Sequence, residues 1–314
     1  MIKNSFLRLI EIFLYYIINI ILILIVRTDV IILGVNGMLG NTLFKYFKDK
    51  TNLNIKGILR KKNSLPLSFK YFNSEELIEC NVLEEDYFKS LIKDLQPNFI
   101  INCIGIVKKH SDANNPLSSI KINSLFPHLL SNICEESKTK LIHISTDCVF
   151  SGGSGFYSEK DQTDPIDLYG RSKLLGEVFN GQDLTLRTSC IGEELITKRN
   201  LLSWFLSQSN SVDGFSKAIF SGLPTIEIAR IIHELIIPNP SLKGIYHLSS
   251  NPIDKFSLLN LVKKVYKKDI LIRKNTEYCV DRSLDSTKFR NATGYEPLSW
   301  NELVEIMYEF GNYS

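Results

Sequence analysis

The chain has 314 residues, 44% of them hydrophobic, which is enough to bury a full core in one large domain or two of ordinary size and excludes a disordered chain. The formal net charge is only +3, and the basic residues are spread rather than gathered into a stripe, which excludes nucleic acid as the expected partner. The cysteines at 80, 103, 134, 148, 190 and 279 form no C-x-x-C pair and no Cys/His cluster at metal-ligand spacing, so the sequence predicts reduced thiols, a cytoplasmic protein and no metal site.

Residues 12–26, IFLYYIINIILILIV, are apolar apart from Asn19. A spanning helix needs about 20 such residues, and no small-residue cleavage site follows. Residues 1–27 therefore read as a membrane-surface anchor, a short transmembrane helix, or an extension of a chain whose translation starts near Val26. Strand-like sequence begins almost at once, with no linker to hold a domain clear of a bilayer. That favours the extension over membrane contact through residues 10–26.

From Thr28 onward, short β-branched runs alternate with longer amphipathic stretches, the pattern of βαβ units around a parallel sheet. DVIILG (29–34) reads as a buried strand, and MLGNTLFKYFKD (38–49) as a helix with Leu39, Leu43 and Phe47 along one face. NIKGILR (54–60), FIINCIG (99–105) and KLIHIST (140–146) are further strands, the last expected to be covered on both faces. Beyond about residue 188 the alternation loosens, and GIYHLSS (244–250) and SLLNLVKKVYKK (257–268) suggest a smaller lobe. The predicted fold is α/β, a doubly wound parallel sheet of the Rossmann type over 28–188, with a mixed α/β substrate lobe over 189–314. A cleft between such lobes is where ligands usually sit.

The first strand runs into Gly34-Val35-Asn36-Gly37-Met38-Leu39-Gly40. Glycines between a strand and a helix permit a tight turn and close approach of backbone to a phosphate, while the helix N-terminus offers amides to a pyrophosphate. No acid stands after the second strand to hold a ribose diol. Arg60, Lys61 and Lys62 stand there instead, and a guanidinium suits a 2′-phosphate. NADPH is therefore the expected cofactor, with NADH as the second choice.

In DLYGRSK (167–173), Tyr169 and Lys173 lie four apart and share a helical face. A phenol and an ammonium so placed suit proton transfer to a carbonyl oxygen during hydride transfer. The ammonium is expected to draw the phenol's pKa down toward working pH.

The stretch ISTDCVFSGGSGFYSEKDQTDPIDLYGRSKLLGE (144–177), with the glycine turn, resembles the dTDP-4-dehydrorhamnose reductase family of the extended short-chain dehydrogenases/reductases. Ser145, Thr146, Asp147, Val149 and Phe150 match its strand end. Tyr157, Glu159 and Asp161 match its acidic segment, and Tyr169, Gly170, Ser172, Lys173, Gly176 and Glu177 its Tyr-Gly-x-Ser-Lys block. The resemblance runs from about residue 28 to the C-terminus. It is looser in the second lobe, at GLPTIEIA (222–229), GIYHLSS and DRSLDSTKF (281–289).

The resemblance implies that Thr146 bonds the substrate's C4 oxygen, Tyr169 donates a proton to it, and Lys173 binds the nicotinamide ribose. Asn123 would support the lysine, and Gly105 would lie near the cofactor. The implied reaction is NADPH-dependent reduction of a nucleotide-activated 4-keto-6-deoxy sugar for envelope polysaccharide, lipopolysaccharide included, by a chain that could pair as a homodimer. Lys108, Asp147, Arg187 and Arg282 are the candidates for substrate contacts. Cys148 replaces the family's usual tyrosine and Asn81 an aspartate near the adenine, while INCIGIVKKH (101–110) is closer to reductases of UDP-linked acetamido sugars. Related dehydratases carry Thr-Asp-Glu where this chain has Thr146-Asp147-Cys148, which disfavours dehydration. Epimerisation, and a role as NADP-binding regulatory subunit of a methionine adenosyltransferase, are the alternatives.

Overall fold

The computed structural model describes residues 28–71, 73–108 and 114–312. The apolar run at 12–26 lies outside them, and no helix among the described residues is long and apolar enough to cross a membrane.

Each predicted strand forms, KLIHIST over its full length and the others slightly shorter than expected. The central sheet has seven strands, β1 (Val30–Leu33), β2 (Ile55–Leu59), β3 (Leu77–Glu79), β4 (Phe99–Asn102), β5 (Lys140–Thr146), β6 (Leu184–Thr188) and β7 (Gly244–His247). All are parallel, in the order β7-β6-β5-β4-β1-β2-β3. Val30 of β1 aligns with Ile55 of β2 on one side and Phe99 of β4 on the other. The chain order reverses at β1, and ligands of such sheets bind in the crevice beyond the strands' carboxyl ends at that reversal.

Both faces are apolar because helices cover both. Ile31, Leu33, Ile100 and Leu141 point toward Phe88 and Ile92 of α2 (Glu85–Leu95) and Phe126 and Leu130 of α3 (116–137). Val30, Ile32, Ile101 and Ile142 point the other way, toward Leu43, Phe44 and Phe47 of α1 (Met38–Lys50). The alternation follows from the two-residue period of a strand.

The expected boundary at residue 188 is crossed by one strand. GIYH, expected in the substrate lobe, instead extends the central sheet as β7, pairing Gly244 with Leu184 and His247 with Arg187. Local sequence cannot tell which sheet a strand will join. The remaining lobe is built on Ser211–Phe220, flanked by Leu271–Asp281 and the short Ile253–Asp254. It is tied to the first helix directly: Thr42 Oγ1 donates to Thr225 Oγ1 (2.9 Å), and Asn200 Nδ2 contacts Met38 Sδ at 3.1 Å.

Candidate active site

The glycine turn lies where β1 meets α1. Gly34 has φ +83°, which a side chain would strain, and Gly37 N–H donates to Gly34 O at 2.9 Å. A Cβ on Gly40 would sit 2.3 Å from that same oxygen, so the helix packs there only because nothing is attached. Met38 and Leu39 form the first turn of α1. The helix begins at Gly37 with no side-chain cap and no acidic residue in that turn, so its amides are left for an external anion. Asn36 Nδ2 donates to Ser64 Oγ (3.2 Å), which ties the turn to the loop that starts at the exposed Arg60. These features fit a dinucleotide: the turn for the pyrophosphate, Arg60 beside it for a phosphate on the ribose.

Thr146 ends β5 and caps the short turn after it. Its Oγ1 accepts from Cys148 N (3.1 Å) and donates to Asp147 Oδ1 (3.1 Å). Tyr169 and Lys173 stand on α4 (Leu168–Leu175), whose N-terminus is capped by Asp167 accepting from Gly170 N at 2.8 Å. Burial pushes the Tyr169 phenol well up, the neighbouring Cys148 adds to this, and a hydrogen bond with Thr146 opposes it. The expected lowering of Tyr169 is therefore absent in the ligand-free protein, because desolvation penalises the phenolate more than its neighbours favour it. Tyr169 stands as a protonated acid, the state that reduction requires.

Lys173 is 3% exposed, and its Nζ donates to Ile144 O (2.7 Å) and meets His143 Nε2 at 3.3 Å. Burial lowers its pKa to about 8, against Glu177 and Cys103. Lysine and tyrosine share a helical face, yet the lysine's partners lie on β5.

Asn123 is fully buried in a π-helical segment, Ile120–Leu125, within α3. Pro127, four residues on, has no N–H for the Asn123 carbonyl, which loosens the helical ladder there. Gly176 fits against the carbonyl; a Cβ there would lie 1.8 Å from it. The Asn123 side chain bridges Ile106, accepting from its N (2.8 Å) and donating to its O (3.0 Å), and also donates to Ser172 Oγ (3.0 Å). It thus locks the loop after β4 to the helix carrying Tyr169 and Lys173. Gly105 is exposed on that loop, with Asn123 Oδ1 3.5 Å from where a Cβ would stand.

The structure gathers three of the proposed substrate contacts at the mouth of the site. Lys108 Nζ pairs with Asp167 Oδ2 (2.7 Å) and stands 5.8 Å from the Tyr169 ring centroid. Arg282 Nε donates to Phe150 O (2.8 Å), and its charge acts on Asp147. Burial pushes the Asp147 carboxyl up, while Cys148 and Arg282 oppose it.

Arg187 is a correction to the sequence reading. It is 5% exposed and bound by both ends of its guanidinium to Glu177, Nε to Oε1 at 2.8 Å and Nη2 to Oε2 at 2.7 Å, over the Phe150 ring. A guanidinium so occupied is not available to a substrate. The acidic segment is also structural: Glu159 Oε1 accepts from His247 N (2.7 Å), and the Tyr157 ring stacks on Phe150 at 4.2 Å.

Sequence reasoning missed His143, Asn102 and the partnership of Glu177 with Arg187. An imidazole in the middle of a strand expected to be buried, and a proline four residues past Asn123, were the available signals.

The family model described as RmlD substrate binding domain matches residues 28–309. Among curated proteins, methionine adenosyltransferase 2 subunit beta of Danio rerio is 30% identical over 155 residues, covering 47% of this chain and 42% of that protein. The dTDP-4-dehydrorhamnose reductase of Aggregatibacter actinomycetemcomitans is 23% identical over 305 residues, covering 88% of this chain and 96% of that protein. The chain spans 42% to 66% of the length of the first three curated relatives it matches, two beta subunits and a probable low-salt glycan biosynthesis reductase. Among solved structures, dTDP-4-dehydrorhamnose reductase from Bacillus anthracis in complex with NADP superposes with a TM-score of 0.74 at 20% identity, covering 90% of this chain and 99% of that one.

Proposed function

We propose, from the premise that the chain belongs to the RmlD substrate binding domain family, that it reduces the C4 keto group of a nucleotide-activated 4-keto-6-deoxy sugar with NADPH, in making envelope polysaccharide precursors. The arrangement that carries this reading is Tyr169 and Lys173 on one helix set against the end of β5, where Lys173 Nζ bonds Ile144 O and Thr146 caps the following turn. Thr146 ends β5 in the same sheet whose β1 leads into the open N-terminus of α1.

The turn Gly34 to Gly40 would hold the cofactor's pyrophosphate, Arg60 its 2′-phosphate, and Lys173 its nicotinamide ribose. When bound, the nicotinamide supplies the hydride. Tyr169 donates its proton to the C4 oxygen as negative charge develops there, and Thr146 turns its hydroxyl to the same oxygen. The Lys108 ammonium over the Tyr169 ring, and that of Lys173 when protonated, favour the phenolate left behind. Arg282 and Lys108 suit the pyrophosphate of the sugar nucleotide.

The test offers NADPH with dTDP-4-keto-6-deoxymannose and with a UDP-linked 4-keto acetamido sugar, side by side. A fall in nicotinamide absorbance with either supports reduction. Sugar conversion without net cofactor consumption means an epimerase instead, and no conversion at all removes the enzymatic reading. The likeness to methionine adenosyltransferase 2 subunit beta favours a second reading, that of a regulatory subunit. Co-purification with a synthetase subunit, together with no turnover, would select it.

A further inference from the structure

Behind Tyr169 lies a buried polar chain that proton donation by the phenol does not use. Ile104 N–H donates to Asn102 Oδ1 at 3.1 Å, which fixes the amide so that its Nδ2 faces His143 Nδ1, also at 3.1 Å. An amide nitrogen can only donate, so Nδ1 must accept. A neutral imidazole that accepts at Nδ1 carries its proton on Nε2, and Nε2 stands 3.3 Å from Lys173 Nζ. His143 is fully buried on the face of β5 that meets α3. Burial, then Lys173 on α4 and His128 on α3, hold its proton affinity well below the usual imidazole range, so the ring is neutral.

An N–H aimed at Nζ finds a lone pair on an amine and none on an ammonium. We propose that His143 is a positioning residue for Lys173: locked by Asn102 as the Nε2–H tautomer, it donates to Nζ and favours the amine over the ammonium form. Lys173 Nζ in turn donates to Ile144 O, which fixes its direction. The groups that face Lys173 from elsewhere are Glu177 on the stretch after α4 and Cys103 after β4, and both favour the ammonium. The imidazole opposes them from β5. Asn102, His143 and Lys173 thus join the central strands to the catalytic helix, which makes the lysine's proton easier to lose near neutral pH. The inference rests on the reductase reading only for the role it gives Lys173.

The test uses the full chain without ligand. Nitrogen-15 shifts of His143 should show a protonated Nε2 and a bare Nδ1. The side-chain carbon shift of Lys173 should titrate well below an ordinary lysine. In His143→Gln, the amide can turn its oxygen to Nζ and accept from the ammonium, so the Lys173 midpoint should rise by about one pH unit or more. A proton on Nδ1, or a midpoint that does not move, overturns the proposal. Should His143→Gln fail to fold, the tautomer in the unaltered chain decides. Neither readout needs turnover, so a protein that never oxidises NADPH would refute the reductase reading and leave this one standing or falling on its own.

Discussion

Replacing Glu177 with glutamine separates a buried structural role for Arg187 from a substrate-binding one. The two side chains are 6% and 3% exposed, so solvent screens little of their interaction. Glutamine keeps the volume but removes the charge, and its NH₂ turns one of the guanidinium's acceptors into a donor. Ser145 Oγ, which donates to Glu177 Oε1 at 2.7 Å, meets the same change. Removing one partner of a buried ion pair costs about 3–5 kcal/mol, because the other charge is left uncompensated. For a chain of this size that is a fall in melting temperature of roughly 5–15 °C. Thermal unfolding followed by circular dichroism or calorimetry measures it, with Arg187→Met/Glu177→Met as the control. The double replacement exchanges the pair for apolar volume and should recover most of the loss. A Glu177→Gln protein that melts within about 2 °C of the parent would refute the reasoning. So would an Arg187→Met protein with unchanged melting and a raised KM for the sugar nucleotide.

Other outcomes follow from the same geometry. Tyr169→Phe should lower turnover by about 10²-fold or more, the loss expected for a general acid, while NADPH titration gives nearly the parent affinity; unchanged turnover would mean another group supplies the proton. Gly40→Ala places a Cβ 2.3 Å from Gly34 O, so the turn must open, and NADPH affinity and melting temperature should both fall. Unfolding should cost about 1–3 kcal/mol less in that variant. Arg60→Ala should weaken NADPH by about 10-fold or more and leave NADH nearly unchanged, as expected for loss of a charge-assisted contact to a 2′-phosphate. Equal weakening of both would show that Arg60 does not select the cofactor. Removing residues 1–25 should leave a folded, soluble protein if they are an extension of the domain that starts near Thr28; an aggregated product would return the membrane-anchor reading.

The sequence by itself determined the elements whose signal is local. A strand covered on both faces is mostly apolar, and a dinucleotide turn must have glycine where backbone meets backbone, so β1 and the Gly34–Gly40 turn were legible from residue type and order alone. The Tyr169–Lys173 spacing was legible for the same reason, since helical periodicity is a local property. What only the tertiary structure decided were the partners. Arg187 is a cation in any sequence reading, and Glu177, ten positions before it, becomes its counter-ion because the end of α4 folds back over β6. GIYH reads as a strand anywhere, but pairing with β6 is what made it the edge of the central sheet. Tyr169 was expected to be softened by its lysine neighbour, and burial reversed the sign, because desolvation depends on what packs around a group rather than on what precedes it. His143 passed unnoticed in a buried strand, and its meaning came from Asn102 and Lys173, forty-one and thirty residues away along the chain.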